Sequence, residues 1–372
     1  MSAALIAITM PKWGLTMTEG KVVGWMREAG EAISAGDELL EIETSKITNV
    51  VEAEHDATVL RILAPVGSTL PIGAILAVIG DPSASAAEID AFIGGFAVAP
   101  LGEAAVDEAA PPEPRTLEVK GRRLRFLDIG GGEATPLVLI HGFGADLNSW
   151  MFVQPALAET RRTIAIDLPG HGASGKDVGT GTAEMFAGAV EDLLDELAIP
   201  RAHFAGHSMG GAIAALIAAR APARVASLTL IAPAGLGPEI NGAFIDGFVR
   251  AERRKEIADI LGMLVHDPAL VSRAMVEDVM RYKRLDGVAP ALRSIAQTWF
   301  AGGRQSRDFA AGLATSGVSV QLIFGRDDRI VPAAHSAAIK AESHVLDHAG
   351  HMPHMEKAGD VIRLMKRFLD GR

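Results

Sequence analysis

The stretch "AHFAGHSMGGAIAALIAARA" (residues 202–221) constrains this chain more than any other. It runs from β-type apolar residues through a glycine-rich turn into a helical pattern of small residues. Within it, Gly206-His207-Ser208-Met209-Gly210 fits G-x-S-x-G, and that pattern carries chemistry only between a strand and a helix. The glycines have a steric reason. A serine presented on so sharp a turn is strained, and its neighbours must lack side chains that would clash. The turn sets the hydroxyl at a sheet edge and at a helix N-terminus, where the backbone dipole favours developing negative charge. A glycine-rich turn with an incidental serine is the competing account, and the strand and helix on either side weigh against it.

The surrounding sequence supplies the sheet. "LVLIHG" (from Leu137), "TIAIDL" (Thr163), "SLTLIAP" (Ser227) and "VSVQLIFG" (Val318) are apolar strand candidates. Between them lie amphipathic stretches such as "AEMFAGAVEDLLDELA", where Phe186, Val190, Leu193, Leu194 and Leu197 share one helical face. Near-continuous apolar strands alternating with helices predict a mostly parallel sheet covered on both faces. The interval from about Leu236 to Gln305 breaks the alternation; it is helical and charged, and predicts an inserted cap.

A serine hydroxyl needs a base to take its proton and a third group to orient that base. "LIFGRDDRIVP" offers Asp327 and Asp328, and "LDHAGHMPHMEK" offers His348, His351 and His354, in the chain order Ser…Asp…His. Together with G-x-S-x-G these motifs resemble the α/β-hydrolase family from Leu117 to Arg372. The resemblance implies that the acid is Asp328, in G-x-x-D-x-x-x-P, with Asp327 as the competitor. It implies that the base is His351, with His348 and His354 as surface or supporting residues. "HGFG" (residues 141–144) resembles the family's oxyanion-hole loop, so the backbone N–H groups of Phe143 and Met209 would hold the oxyanion. "DLPGHGAS" (residues 167–174) is expected to be a structural turn, and His141, His171 and His207 are expected to order backbone. No His, Asp and Glu spacing suggests a metal site.

The first eighty residues are different. "GEAISAGDELLEIE" from Gly30 repeats as "GSTLPIGAILAVIG" from Gly67: Gly30 matches Gly67, Ile33 Leu70, Gly36 Gly73, Leu39 Leu76 and Ile42 Ile79. β-type runs precede each copy, which predicts a small all-β sandwich with approximate two-fold symmetry. Lys46 follows the first copy in the polar turn "ETSKITN", expected at an exposed hairpin tip. The segment "ASAAEIDAFIGGFAVAPLGEAAVDEAAPPEPR" is rich in Ala, Pro and acidic residues and predicts a tether, with room for one short helix. The expected domains are therefore 1–81, a linker at 82–115, and 116–372 with the cap at about 236–305. Residues 5–80 resemble the biotinyl/lipoyl-carrier family, whose hairpin lysine is acylated by a cofactor. Biotin carriers show Met-Lys-Met, and "ETSKI" is nearer the lipoyl pattern E-T-D-K-A, although Ser45 and Ile47 depart from it. The resemblance therefore implies covalent lipoate on Lys46.

Composition limits the partners. A net charge of −11 argues against nucleic acid or an anionic membrane. The N-terminus lacks the basic residues of a secretory signal, and no apolar run reaches the ~18–20 residues that span a bilayer, so a cytoplasmic location is expected. The chain has no cysteine, so any thiol must come from a cofactor or substrate.

A lipoyl domain fused to an α/β-hydrolase domain resembles the acetyltransferase (E2) family of acetoin dehydrogenase complexes. That resemblance implies transfer of acetyl from lipoyl-Lys46 to coenzyme A, with a thiamine-diphosphate-dependent E1 and a dihydrolipoyl dehydrogenase (E3) as partners. No histidine has an Asp four residues later, so the H-x-x-x-D signature of 2-oxoacid dehydrogenase E2 chains is absent. "AEIDAFIGGF" is also too short for a subunit-binding domain. The basic run "RAERRK" (residues 250–255) is either a phosphate site or a solvated helix face. Two other functions stay open: a serine hydrolase with an attached lipoyl domain, and an idle hydrolase-fold scaffold. A homo-oligomer is compatible with all three.

Overall fold

The computed structural model describes residues 5–11, 19–44, 48–53, 55–95 and 112–371. The chain divides into two compact units between residues 111 and 112.

The first unit holds β1 (Leu5–Thr9), β2 (Glu19–Trp25), β3 (Ala32–Ile33), β4 (Glu38–Glu43), β5 (Thr48–Glu52), β6 (Ala57–Ile62), β7 (Thr69–Pro71) and β8 (Ile75–Gly80). One sheet has the order β1-β8-β6-β3 and the other β5-β4-β2-β7. Advancing every label of the first sheet by four, with β8 wrapping to β4 and β6 to β2, generates the second. The sequence repeat is thus a two-fold relation between the sheets. Val22, Leu39, Leu40, Ile42, Val59, Leu76 and Ile79 fill the space between them. Gly30 and Gly67 sit at φ +96° and +89°, and Gly36 and Gly73 at +94° and +78°. A Cβ at any of the four would meet nothing within 4 Å, so the requirement there is conformational and not one of space. β4 and β5 form an antiparallel hairpin with Glu43 opposite Thr48. Lys46, with Ser45 and Ile47, lies outside the described residues. Helix α1 (Ala86–Gly95) follows β8, and Ser85 and Glu88 cap it reciprocally, each accepting from the other's backbone N–H.

The second unit is built on one eight-stranded sheet: β9 (Arg115–Val119), β10 (Arg122–Ile129), β11 (Leu137–Ile140), β12 (Thr163–Ile166), β13 (Ala202–His207), β14 (Val225–Ile231), β15 (Val320–Gly325) and β16 (Glu342–Leu346). Its order is β16-β15-β14-β13-β11-β12-β10-β9. Strands β11 to β16 pair in parallel, while β10 runs antiparallel to both β12 and β9. The central strands β11, β12 and β13 are buried at every position, as a sheet covered on both faces requires. α2 (Gln154–Ala158), α3 (Ala183–Glu196), α4 (Met209–Arg220), α10 (Pro353–Glu356) and α11 (Ala358–Asp370) accompany the sheet. Between β14 and β15 the chain inserts α5 (Gly242–Arg250), α6 (Arg254–Leu261), α7 (Arg273–Lys283), α8 (Val288–Trp299) and α9 (Ala310–Thr315). α8 buries Ala291, Leu292, Ile295 and Trp299, one face at helical spacing. No helix among the described residues is long and apolar enough to cross a membrane.

The glycine symmetry is testable. Gly36→Ala and Gly73→Ala place a Cβ in the left-handed region, which costs about 1–2 kcal/mol each. Hydrogen exchange of the β4 and β8 amides is expected to accelerate by a similar factor in the two variants; a large difference would break the two-fold relation.

Candidate active site

Ser208 stands between the last residue of β13 and the first of α4, at φ +51° and ψ −117°. That is a conformation an L-residue adopts only when its surroundings enforce it. The surroundings are close-packed backbone. A Cβ on Gly206 would lie 2.4 Å from the Gly210 carbonyl oxygen, and one on Gly210 would lie 2.2 Å from that of Ile140. A Cβ on Gly211 would lie 2.7 Å from Pro233. The three glycines of the motif are thus positions where backbone meets backbone. Met209 opens α4, so its N–H belongs to the first turn, which has no partners within the helix.

The acid and base arrive from the C-terminal ends of β15 and β16. His351 Nδ1 and Asp328 Oδ2 are 2.8 Å apart, with 2% and 0% of the two side chains exposed. The other oxygen of Asp328 accepts from the N–H groups of Ile330 (2.7 Å) and Val331 (2.9 Å). These bonds fix the orientation of the carboxylate. Asp327, the competitor, points elsewhere and bonds His266 Nδ1 at 2.9 Å. His207, the residue before Ser208, ties the base loop to the serine turn: its Nε2 donates to the His351 carbonyl at 2.8 Å. Asp328 and His351 form one pair, and the serine turn is bonded to their loop.

The loop after β11 closes the other side. A Cβ on Gly142 would lie 3.1 Å from Ser208 Cβ, so Phe143 follows directly on a contact with the serine. His141 holds this loop by donating from Nδ1 to the Gly142 carbonyl (2.8 Å) while Nε2 accepts from the Leu168 N–H (3.0 Å). The two bonds assign the neutral tautomer. Asp167 is fully buried and accepts from the N–H groups of Leu147 and Ala173, both at 2.8 Å, and from Arg125 at 3.1 Å. "DLPGHGAS" is therefore a structural turn that holds the loop after β11.

Histidines crowd the site, and burial keeps them neutral. It pushes His141 down to about 4 and His171 and His354 to about 3, and it holds His207 well below the ordinary range. His354 is fully buried, with ring centroids 4.8 Å from Trp150 and 4.6 Å from His207, so it supports the site and is not a surface residue. His348 is exposed. Among these histidines, only His351 is paired with a buried carboxylate.

Two features have no sequence signal. Phe248 and Phe300, both from the insertion, stack edge-on against Phe143 at 5.7 and 6.0 Å, walling the site. Phe300 also lines a cavity of about 650 Å³ between α5 and α8, together with Arg250 and Arg293. Sequence periodicity identifies Phe248 only as part of a buried helix face, and Phe300 follows the last residue of α8. Of the basic run, Arg253 and Arg254 pair on the surface with Glu256 and Glu277, which is the solvated-face arrangement.

Comparison with known proteins fits both units. Residues 135–358 match the family described as alpha/beta hydrolase fold, and residues 6–79 match the family described as biotin-requiring enzyme. The dihydrolipoyllysine-residue acetyltransferase component of the acetoin cleaving system of Pseudomonas putida is 47% identical over 97% of this chain and 98% of its own. The protein of the same name from Cupriavidus necator is 42% identical over 100% and 99%. The chain belongs to this acetyltransferase family. Within its second unit, a 2-hydroxy-6-oxononadienedioate/2-hydroxy-6-oxononatrienedioate hydrolase from Cupriavidus pinatubonensis is 28% identical over 66% of this chain and 90% of its own. The solved meta-cleavage product hydrolase of Pseudomonas fluorescens shares the fold at TM-score 0.63 and 23% identity, over 69% of this chain and 97% of its own.

The neutral histidines make stability pH-dependent. Their folded values lie below the ordinary value of about 6.5, so below that pH the unfolded chain binds more protons than the folded one. Stability is therefore full above pH ~6.5 and falls as the pH drops toward about 3. The melting temperature of the full chain is expected to decline through that window. His354→Leu, which removes one buried titrating group, is expected to flatten the slope; an unchanged slope would remove His354 from the account.

Proposed function

We propose that the chain is the acetyltransferase component of an acetoin-cleaving system, and that Ser208, His351 and Asp328 perform the transfer. The observation that carries this is the pairing, on one polypeptide, of a lipoyl-type unit with a buried serine–histidine–aspartate site, in full-length relatives named for acetyl transfer. Residues 1–81 act as the carrier, 82–115 as the tether and 116–372 as the catalytic unit, with the insertion at about 236–305 as its cap. The two family matches support that division.

Lys46 lies in the connection between β4 and β5, whose antiparallel pairing reverses the chain around it, and this suits a residue that must project a prosthetic arm. The lipoyl group supplies the thiol on which acetyl is carried as a thioester, a function that a chain without cysteine cannot provide. The rest falls to the protein's own side chains. Ser208 Oγ attacks the thioester carbonyl while His351 takes its proton. The Phe143 and Met209 N–H groups receive the negative oxygen. His351 returns the proton to the departing thiolate, leaving an acetyl ester on Ser208. The coenzyme A thiol then gives its proton to His351 and attacks that ester, and Ser208 recovers its hydrogen. Asp328 keeps Nδ1 of His351 protonated and steadies the imidazolium at both steps. The E1 and E3 components that load and reoxidise the arm are the expected partners.

The second reading is hydrolysis, in which water takes the acetyl group; the hydrolases that share the fold favour it. Acetyl-dihydrolipoamide supplied with and without coenzyme A separates the two. Acetyl-coenzyme A formation that disappears in Ser208→Ala supports transfer, whereas acetate release indifferent to coenzyme A would overturn it. Asp328→Asn is expected to lower kcat by about 10³–10⁴ while leaving the fold intact, because the base loses its tautomer control. The Phe143–Phe248–Phe300 wall limits water at the acetyl ester. Phe248→Ala is expected to raise acetate release relative to acetyl-coenzyme A, measured on the same substrate. An unchanged ratio would mean that the wall does not select the acceptor.

A further inference from the structure

His266, Asp327 and His348 come from three separate stretches of the second unit: the loop after α6, the end of β15 and the loop after β16. Each offers one ligand atom, and these atoms lie within 4.8 Å of one another. His266 Nδ1 and Asp327 Oδ2 are 2.9 Å apart, and the two imidazole rings meet edge-on at 5.3 Å. All three side chains are exposed, so a cation can reach them from solvent. Around a tetrahedral ion with bonds of about 2.0–2.1 Å, neighbouring ligand atoms are about 3.4 Å apart. One pair is already tighter than that, and the others need only small rotations of exposed side chains.

The backbone beneath is fixed independently of any ion. Leu264 O accepts from His351 N–H at 2.7 Å, and Val265 O accepts from Arg329 at 2.6 Å. Glu356 accepts from the N–H groups of His266 (2.6 Å), Gly350 (2.9 Å) and Met352 (3.2 Å). Asp327 N–H donates to Ala349 O at 2.9 Å. The three loops are thus bonded to one another within two residues of each side chain, which removes most of the ordering cost of assembling a site.

We propose that His266, Asp327 and His348 form a surface site for a divalent cation of the zinc type, with solvent completing the coordination. Two imidazoles and one carboxylate suit zinc better than calcium or magnesium, which take oxygen ligands. The site would tie the insertion to the loops that carry Asp328 and His351. A bound ion there stabilises the catalytic arrangement without entering the chemistry.

The test is zinc chloride titrated calorimetrically into the untagged full chain. Any lipoyl arm is held as its disulfide, because a free dithiol binds zinc. The chain has no cysteine to compete. One equivalent is expected to bind and to raise the melting temperature. His266→Ala and His348→Ala are each expected to weaken binding by about tenfold or more. Circular dichroism of the metal-free variants checks that both remain folded. Cobalt(II) in place of zinc is expected to give the visible absorption of a four-coordinate site, lost in the same variants. Absence of zinc binding at neutral pH, or binding of equal strength in the double variant, would overturn the assignment.

Discussion

The catalytic unit depends on one close approach of backbone to backbone. For Ser208 to stand at φ +51°, the turn from β13 into α4 must press against the end of β11, and only glycine leaves room at 206 and 210. Strain of this kind persists only where the surroundings over-determine it. Four hydrogen bonds do so: Ser208 N–H donates to Ile231 O, and Ser208 O accepts from the N–H groups of Gly211, Ala212 and Ala234, all at 3.0–3.2 Å. The same packing sets Gly142 against the serine Cβ. Ser208 and the loop after β11 are therefore positioned by one constraint, and a side chain added at the turn would displace both.

Charge is arranged as strictly as space. His141, His171, His207 and His354 are buried and neutral, so under the proposed mechanism no second imidazolium opposes the one required of His351. Asp328 supplies the compensating carboxylate, and main-chain N–H groups hold its other oxygen. The scattered histidines of the sequence thus divide by partner: those bonded to carbonyls or stacked on rings shape the loops, and the one bonded to a buried carboxylate can act as a base.

Much of this was legible in the sequence where a residue type has a local reason. The G-x-S-x-G glycines, the half-repeat glycines and the apolar central strands each announce their geometry. β10 and β16 did not. "RRLRFLDI" carries arginines on a strand near the sheet edge, and "ESHVL" is short and polar, so neither shows the continuous apolar run of a buried parallel strand. Nor was the partner of Asp327 readable. Its meeting with His266 and His348 depends on an insertion folding back onto loops about sixty and eighty residues further along the chain, and no spacing rule spans that. Phe248 was hidden for a related reason, because helical periodicity marks it as buried without saying which surface it buries against, and Phe300 lies just past the end of α8.

The aromatic wall bears on the choice of acceptor. An acetyl ester on a serine is open to any nucleophile that reaches it, and water outnumbers every thiol. Transfer therefore requires that solvent be kept from an ester that a thiol can still approach. Ser208 is 6% exposed and His351 2%, and Phe248 and Phe300 stack from the insertion side on Phe143 of the loop after β11. A hydrolase on the same fold needs only the triad and a path for water. What a transferase adds is a barrier to water, and that barrier must come from outside the sheet. The insertion between β14 and β15 is the part of this unit free to supply it, since the strands and the serine turn are already committed to holding the proposed triad.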